Sequence, residues 1–132
     1  MKRAYRRRED HSSWRRQLVE ELAEALEPER HGVVALYVLG STKNGDAGPE
    51  SDIDVIVHVR GGVEQRHALE ETIRRWDEHA WNLYRERTGG RSSSVGIDAH
   101  IITDEDIARR TSFAAKIGAH TDAARLVRQY RA

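Results

Sequence analysis

The chain has 132 residues, with 22 basic and 22 acidic side chains and no cysteine. This length fits one domain, the zero net charge gives no general reason to expect a nucleic-acid binder, and the lack of cysteine excludes disulfides, thiolate zinc sites and a cysteine nucleophile. No apolar run approaches the roughly 18 residues that span a bilayer, and the N-terminus lacks the apolar core of a signal peptide, so a cytoplasmic protein is expected.

The N-terminal end is strongly basic, because residues 1–16 carry five more positive than negative charges. We expect residues 1–11 to form a basic N-terminal arm and residues 12–132 to form a single domain. Such an arm is more often a solvated tail than a nucleic-acid contact, so nucleic acid is not an expected partner. The basic residues of this run are Lys2, Arg3, Arg6, Arg7, Arg8, Arg15 and Arg16.

The first predicted elements are a helix and a buried strand. Ser12 or Ser13 can cap a helix that extends to about Leu26. An apolar, β-branched run at residues 33–39 is typical of a buried strand. This strand ends where Gly40–Ser41 turn the chain.

A second β-branched run, residues 52–59, carries two aspartates. Side chains alternate along a strand, so Asp52, Asp54 and His58 share one face and the apolar residues between them share the other. Two carboxylates on one face repel each other unless a cation lies between them, and their oxygens suit Mg²⁺ together with substrate phosphates. The Gly40–Ser41 turn would offer those phosphates backbone N–H groups and a hydroxyl. The pattern predicts a site for a metal and a nucleotide.

The second half of the chain is predicted to hold a helix, a strand and two further helices. The long helix covers residues 64–88, and a third strand, residues 95–102, carries Asp98 between apolar neighbours. One helix follows from Thr103 to about Ile117, and a last one covers residues 121–130. The order α-β-β-α-β-α-α predicts an α/β or α+β domain, with a small mixed β-sheet, helices packed on one face and the other face left for the acidic residues.

The spacing of these motifs resembles the signature of the DNA polymerase β-like nucleotidyltransferases. Ten residues separate Gly40–Ser41 from Asp52 and Asp54, as is usual in the minimal, single-domain branch of that family, and Asp98 stands where the family keeps its third carboxylate. The resemblance implies the nucleotidyltransferase fold. It also implies that Gly40–Ser41 bind the triphosphate of ATP or another nucleoside triphosphate. Many members have an arginine in this loop, for which Lys43 could substitute as a point cation.

The three aspartates receive their roles from the same resemblance. Asp52, Asp54 and Asp98 would hold two Mg²⁺ ions, with Mn²⁺ as an alternative, and Asp98 would help to deprotonate the acceptor hydroxyl. The implied reaction is transfer of a nucleoside monophosphate, AMP from ATP, to a hydroxyl. The minimal branch often acts on a partner protein, as an antitoxin that adenylylates a helical toxin. A small-molecule acceptor such as an aminoglycoside is one alternative, and a catalytically weak nucleotide-binding or regulatory module is another.

Several of these residues have simpler interpretations. Asp52 and Asp54 alone could be exposed residues at the start of a strand, whereas Asp98 between apolar neighbours is costly unless it is paired or metal-bound. His58 and His100 share the strand face of the aspartates and are interpreted as cleft walls rather than as ligands. The acidic residues after Thr103 are interpreted as a helix cap.

Overall fold

The structure is a computed structural model that describes residues 8–131 of the chain. The first seven residues of the predicted basic arm therefore lie outside the described residues. None of the helices in the described part is long and apolar enough to cross a membrane. The elements are α1 (Arg8–Ala25), α2 (Pro28–His31), β1 (Val33–Leu39), α3 (Gly40–Asn44), β2 (Ile53–Val59), α4 (Val63–Thr88), β3 (Ile97–Ile102), α5 (Asp104–Arg109), a 3₁₀ helix (Ser112–Lys116) and β4 (Arg125–Gln129).

The strands form one mixed sheet in the order β3-β2-β1-β4. β1 is antiparallel to both β2 and β4, whereas β2 and β3 run parallel. Strand β3 therefore lies at one edge of the sheet and β4 at the other. The mixed α/β architecture that the sequence predicts is confirmed.

The main core lies between one face of the sheet and the two long helices, α1 and α4. On β2 the residues Ile53, Val55 and Val57 are fully buried in this core, as the alternation along the strand predicts. Helix α1 contributes Leu18 and Leu22, which are likewise buried. The opposite sheet face carries a smaller apolar cluster, formed by Leu39, Ile56, Ile102 and Ala114.

Helix α1 begins earlier than predicted, since it starts at Arg8 rather than after a cap at Ser12 or Ser13. Ser12 is buried inside the helix, and its hydroxyl accepts a hydrogen bond from the Ala47 N–H at 2.9 Å. The capping prediction is therefore wrong. The serine hydroxyl accepts from a backbone N–H of a distant loop rather than from the first N–H groups of its own helix.

The C-terminal elements also differ from the prediction. The helix expected to reach Ile117 stops at Arg110, which has a left-handed backbone with φ of 54°, and the 3₁₀ helix follows it. The prediction of a last helix over residues 121–130 is wrong, because β4 forms there and pairs with β1. Tyr130 fixes this strand end by donating its N–H to the Val34 carbonyl at 2.8 Å and its hydroxyl to the Ala23 carbonyl at 2.6 Å.

Candidate active site

Three side chains with metal-binding atoms meet on the sheet face opposite the main core. The parallel pairing of β2 with β3 sets Asp54 level with Asp98 and Ile56 level with His100. One ligand atom from each of Asp54, Asp98 and His100 lies within 4.8 Å of the other two. The structure therefore brings two of the three predicted aspartates together and adds a histidine to them. We call these three residues the carboxylate–histidine cluster.

The two carboxylates of the cluster lie close together, and the partial burial of Asp54 disfavours its negative charge. The Asp54 side chain is 33% exposed, whereas the Asp98 side chain is 54% exposed. Burial raises the pKa of Asp54 above its ordinary value, the neighbouring Asp98 carboxylate raises it further, and His100 acts in the opposite direction. A cation beside Asp54 would relieve this penalty.

Gly40 packs directly against the cluster. Leu39, the last residue of β1, pairs with Asp54, and Gly40 then turns the chain into α3 with φ of +70°. A Cβ atom placed on Gly40 would lie 2.9 Å from Asp54 Oδ2. The glycine thus meets two requirements, a left-handed backbone and a close approach to a carboxylate. Ser41 follows it as a partly exposed residue.

Asp52 lies just before β2 and is tied to the start of the neighbouring strand. It is exposed, and its Oδ1 accepts a hydrogen bond from the Gly96 N–H at 3.2 Å. Within the described part of the chain it stands outside the carboxylate–histidine cluster, although its charge acts on Asp54. Its predicted role as a metal ligand stays a prediction.

Lys43 points to the C-terminal segment of the chain. Its ammonium donates to Asp122 Oδ1 at 2.9 Å and to the Ala123 carbonyl at 2.6 Å. Hydrogen bonds from Lys43 and Asn44 lower the pKa of Asp122. The structure therefore uses this lysine to join α3 to the chain ahead of β4, and its predicted contact with a nucleotide stays a prediction.

Two arginines of α1 hold the segment that connects α3 to β2. The Arg15 guanidinium donates to the carbonyls of Ser51 and Pro49, both at 3.0 Å, and to the His11 carbonyl at 2.8 Å. Arg16 donates to the Thr42 carbonyl at 2.9 Å and to the next carbonyl along the chain at 3.2 Å. These backbone groups precede Asp52, so α1 fixes the path by which the chain enters the site.

Arg15 is completely buried, yet it keeps its charge. Burial lowers its pKa to about 10, and the nearby Asp52 carboxylate acts in the opposite direction. Sequence reasoning placed this residue only in the basic N-terminal run. The available signal was its spacing, because Arg15 stands three and seven residues before Leu18 and Leu22, on the apolar side of α1.

His58, the other histidine on this strand face, belongs to a separate network. Its Nε2 lies 2.6 Å from Asp104 Oδ1, and Asp104 also accepts a hydrogen bond from Arg60 Nε at 2.7 Å. Thr103 caps α5 by accepting from the Asp106 N–H, which confirms the capping interpretation of this acidic stretch. His58 thus helps to attach α5 to the sheet.

A family model for the nucleotidyltransferase domain matches residues 15–114. The chain belongs to this family. The match includes α3, β2 and β3, and with them every residue of the carboxylate–histidine cluster. It also includes Arg15 and Arg16, which brace the segment before Asp52.

A solved structure supports the fold of this nucleotidyltransferase domain. It is a crystal structure of a protein from Sulfolobus solfataricus that is assigned as a nucleotidyltransferase. The TM-score is 0.50 and the sequence identity 17%, over 92% of this chain and 86% of the other. At that identity the likeness shows a shared fold. No curated protein matches the chain significantly.

The residues of this nucleotidyltransferase domain fit a divalent cation, as its family typically uses. Asp54 and Asp98 offer hard oxygen ligands, and His100 adds a ring nitrogen on the same side. A side chain at position 40 would collide with the Asp54 carboxylate, so only glycine fits beside this ligand. The donor set and the excess negative charge both agree with a metal site.

Proposed function

We propose that this nucleotidyltransferase transfers AMP from ATP to a hydroxyl group of a partner protein, with two Mg²⁺ ions bound by Asp52, Asp54 and Asp98. The observation that carries the proposal is the alignment of Asp54 with Asp98 across two parallel strands, with Gly40 packed against Asp54. A strand pair with that register presents two carboxylates to one bound group. An antitoxin that modifies its toxin would be one form of this activity.

The residues divide the chemistry between binding and proton transfer. Gly40 allows a phosphate to approach the backbone beside Asp54, and Ser41 offers a hydroxyl at the start of α3. Asp98, whose side chain is 54% exposed, can accept the proton of an acceptor hydroxyl that arrives from solvent. Divalent ions, when bound, supply charge stabilisation to the entering and leaving oxygens of the displacement.

The surroundings of Asp98 favour a large acceptor. A groove of about 360 Å³ lies between α4 and the edge strand β3 and reaches Asp98. Ile97, Ala99 and Ile101 on β3 are partly exposed there, although the matching residues of β2 are fully buried. Partly exposed apolar groups on the core side of the edge strand that carries Asp98 suit a protein surface better than a small polar acceptor. The groove is lined by Glu70, Ile73, Arg74, Asp77, Ile97, Asp98, Ala99 and Ile101.

One observation favours the alternative, a nucleotide-binding module without turnover. The ammonium of Lys43 is neutralised by Asp122, so the Gly40–Ser41 turn is left without the cation that many relatives place in this loop. Such a protein would still bind ATP with a metal. It would not release pyrophosphate when an acceptor is present.

Pyrophosphate release separates the two functions. The protein should release pyrophosphate from ATP and Mg²⁺ when a protein acceptor is added, and Asp52→Asn or Asp54→Asn should abolish this release while the protein stays folded. Glu78→Gln, which removes a carboxylate from the exposed side of α4, is the control and should keep full activity. ATP binding without release, for every acceptor tested, would support the regulatory module instead.

A further inference from the structure

We propose that His100 is a nitrogen ligand of the metal held by Asp54 and Asp98, and that it shifts the preference of this site from Mg²⁺ towards first-row transition ions such as Mn²⁺. This inference rests on the metal site of the proposed function. From the sequence, His100 is interpreted as a cleft wall; the structure gives it the position of a metal ligand.

The distances between the three groups suit a shared ion better than direct hydrogen bonds. His100 Nε2 lies 3.6 Å from Asp54 Oδ1 and 3.6 Å from Asp98 Oδ2. A nitrogen–oxygen hydrogen bond is about 2.7–3.2 Å long, so neither contact is one. Two ligand atoms that each lie about 2.0–2.2 Å from a metal are about 3.0–3.6 Å apart, depending on the coordination angle. The nitrogen is thus equally spaced from both carboxylates, at a separation that an ion between them would produce.

The ring of His100 is held in this place from its other side. It stacks on the Phe113 ring, with 3.5 Å between the ring centroids and 17° between the ring planes. Phe113 belongs to the 3₁₀ helix, which is anchored in the second apolar cluster through the buried Ala114. The His100 side chain is only 18% exposed. A ligand whose orientation is fixed in advance binds a metal with a smaller loss of conformational entropy.

The chemistry of the donor decides which ion benefits. Mg²⁺ binds through oxygen atoms and keeps several of its waters, whereas imidazole nitrogen binds transition metals more strongly. A site of two carboxylates and one imidazole therefore favours Mn²⁺ or a later transition ion over Mg²⁺. A site of carboxylates alone would have less reason to discriminate between these ions.

Mn²⁺ added to the full chain, with and without a non-hydrolysable ATP analogue, provides the test. Pulsed electron paramagnetic resonance should detect coupling between the bound Mn²⁺ and a ¹⁴N nucleus, and His100→Asn should abolish that coupling. The same variant should weaken Mn²⁺ binding by about 10–100-fold and change Mg²⁺ binding by less than about threefold. His67→Asn, at an exposed histidine of α4, is the matched control and should change neither quantity.

A second variant distinguishes the loss of a metal ligand from a general loss of folding. Phe113→Leu removes the aromatic stack but keeps the imidazole, so the nitrogen coupling should persist while Mn²⁺ affinity falls less than in His100→Asn. Mn²⁺ binding that needs Asp54 but shows no nitrogen coupling would overturn the role of His100 and leave the proposed function standing. Failure to bind Mn²⁺ under either condition would overturn both.

Discussion

The two sides of the candidate site are attached to the fold in different ways. The segment of residues 40–54, which leads from Gly40 to Asp54, is held by α1, with Arg15 and Arg16 donating to its carbonyls and Ser12 accepting from its backbone. We call it the braced segment. Strand β3, which carries Asp98, is an edge strand that pairs with β2 and with no other strand of residues 8–131. Helix α4 adds one hydrogen bond to its first residue, from the Ile97 N–H to Asp77 at 2.8 Å.

This difference matches the two tasks of a transferase. A segment that is mostly loop loses much conformational entropy when it is ordered, and carbonyls shielded from water need donors. The arginines of α1 supply those donors and so help to fix the path of the braced segment. The β3 side is more open to solvent, since the Asp98 side chain is 54% exposed. In the proposed function, the closed side would hold the nucleotide, which is the constant substrate, and the open side would admit the acceptor, which varies.

The largest expected effect comes from Asp98 on the open side. Asp98→Asn should lower kcat by roughly 10²–10⁴, because it removes the group that accepts the proton of the attacking hydroxyl. Binding of ATP with metal should stay within about tenfold of the original, since Asp54 and the braced segment remain. Steady-state kinetics and nucleotide titration measure the two quantities. Glu78→Gln, on the exposed side of α4, is the control. A fully active Asp98→Asn would contradict this division of roles.

The second largest effect is expected from Arg15, which holds the braced segment. Arg15→Met should lower the free energy of unfolding by about 2–4 kcal/mol, because the hydrogen bonds from its guanidinium to the carbonyls of His11, Pro49 and Ser51 are lost, at about 0.5–1.5 kcal/mol for each. Chemical denaturation measures this loss. Arg74→Met, which removes a surface guanidinium of α4, should change stability by less than about 0.5 kcal/mol. Equal effects for the two variants would remove the contrast between the sides.

Ser41 tests whether the braced segment binds phosphate. Ser41→Ala should raise the KM for the nucleotide by roughly 10–100-fold, because a hydrogen bond to a charged group contributes about 1.5–3 kcal/mol. The value of kcat should change little. Ser13→Ala, at an exposed serine of α1, should leave both constants unchanged. An unaltered KM in Ser41→Ala would remove the phosphate role of this turn.

The smallest effect concerns stability without metal. Because the pKa of Asp54 is raised in the folded state, the stabilisation it contributes is present at low pH and is lost as the pH rises through that pKa. Asp54→Asn should therefore raise Tm at neutral pH in the presence of a chelator. Asp104→Asn should lower it, because Arg60 and His58 lower the pKa of Asp104. Added Mn²⁺ should stabilise the original protein more than Asp54→Asn, and a Tm that falls in this variant with chelator present would contradict the like-charge penalty.

The sequence by itself determined the strands that carry the site and the direction of their side chains. The run at residues 33–39 is the strand it predicts, and on β2 the apolar residues enter the core while Asp54 lies on the opposite face. These features depend on the alternation of side chains along a strand, which is local and needs no distant partner. The spacing from Gly40 to Asp54 likewise indicated the family.

Only the tertiary structure decided which distant groups meet. The C-terminal residues 125–130 have apolar positions that suit a helix or a strand, and the unpaired edge of β1 made them a strand. In the sequence, Arg15 is one charge of a basic run. Its acceptors in the structure, the carbonyls of Pro49 and Ser51, lie more than thirty positions away along the chain. His100 lies near Asp54 because β3 pairs with β2 in the register that sets Asp54 level with Asp98. A local pattern can indicate which face a residue occupies, but its distant partners depend on the pairing of the whole chain.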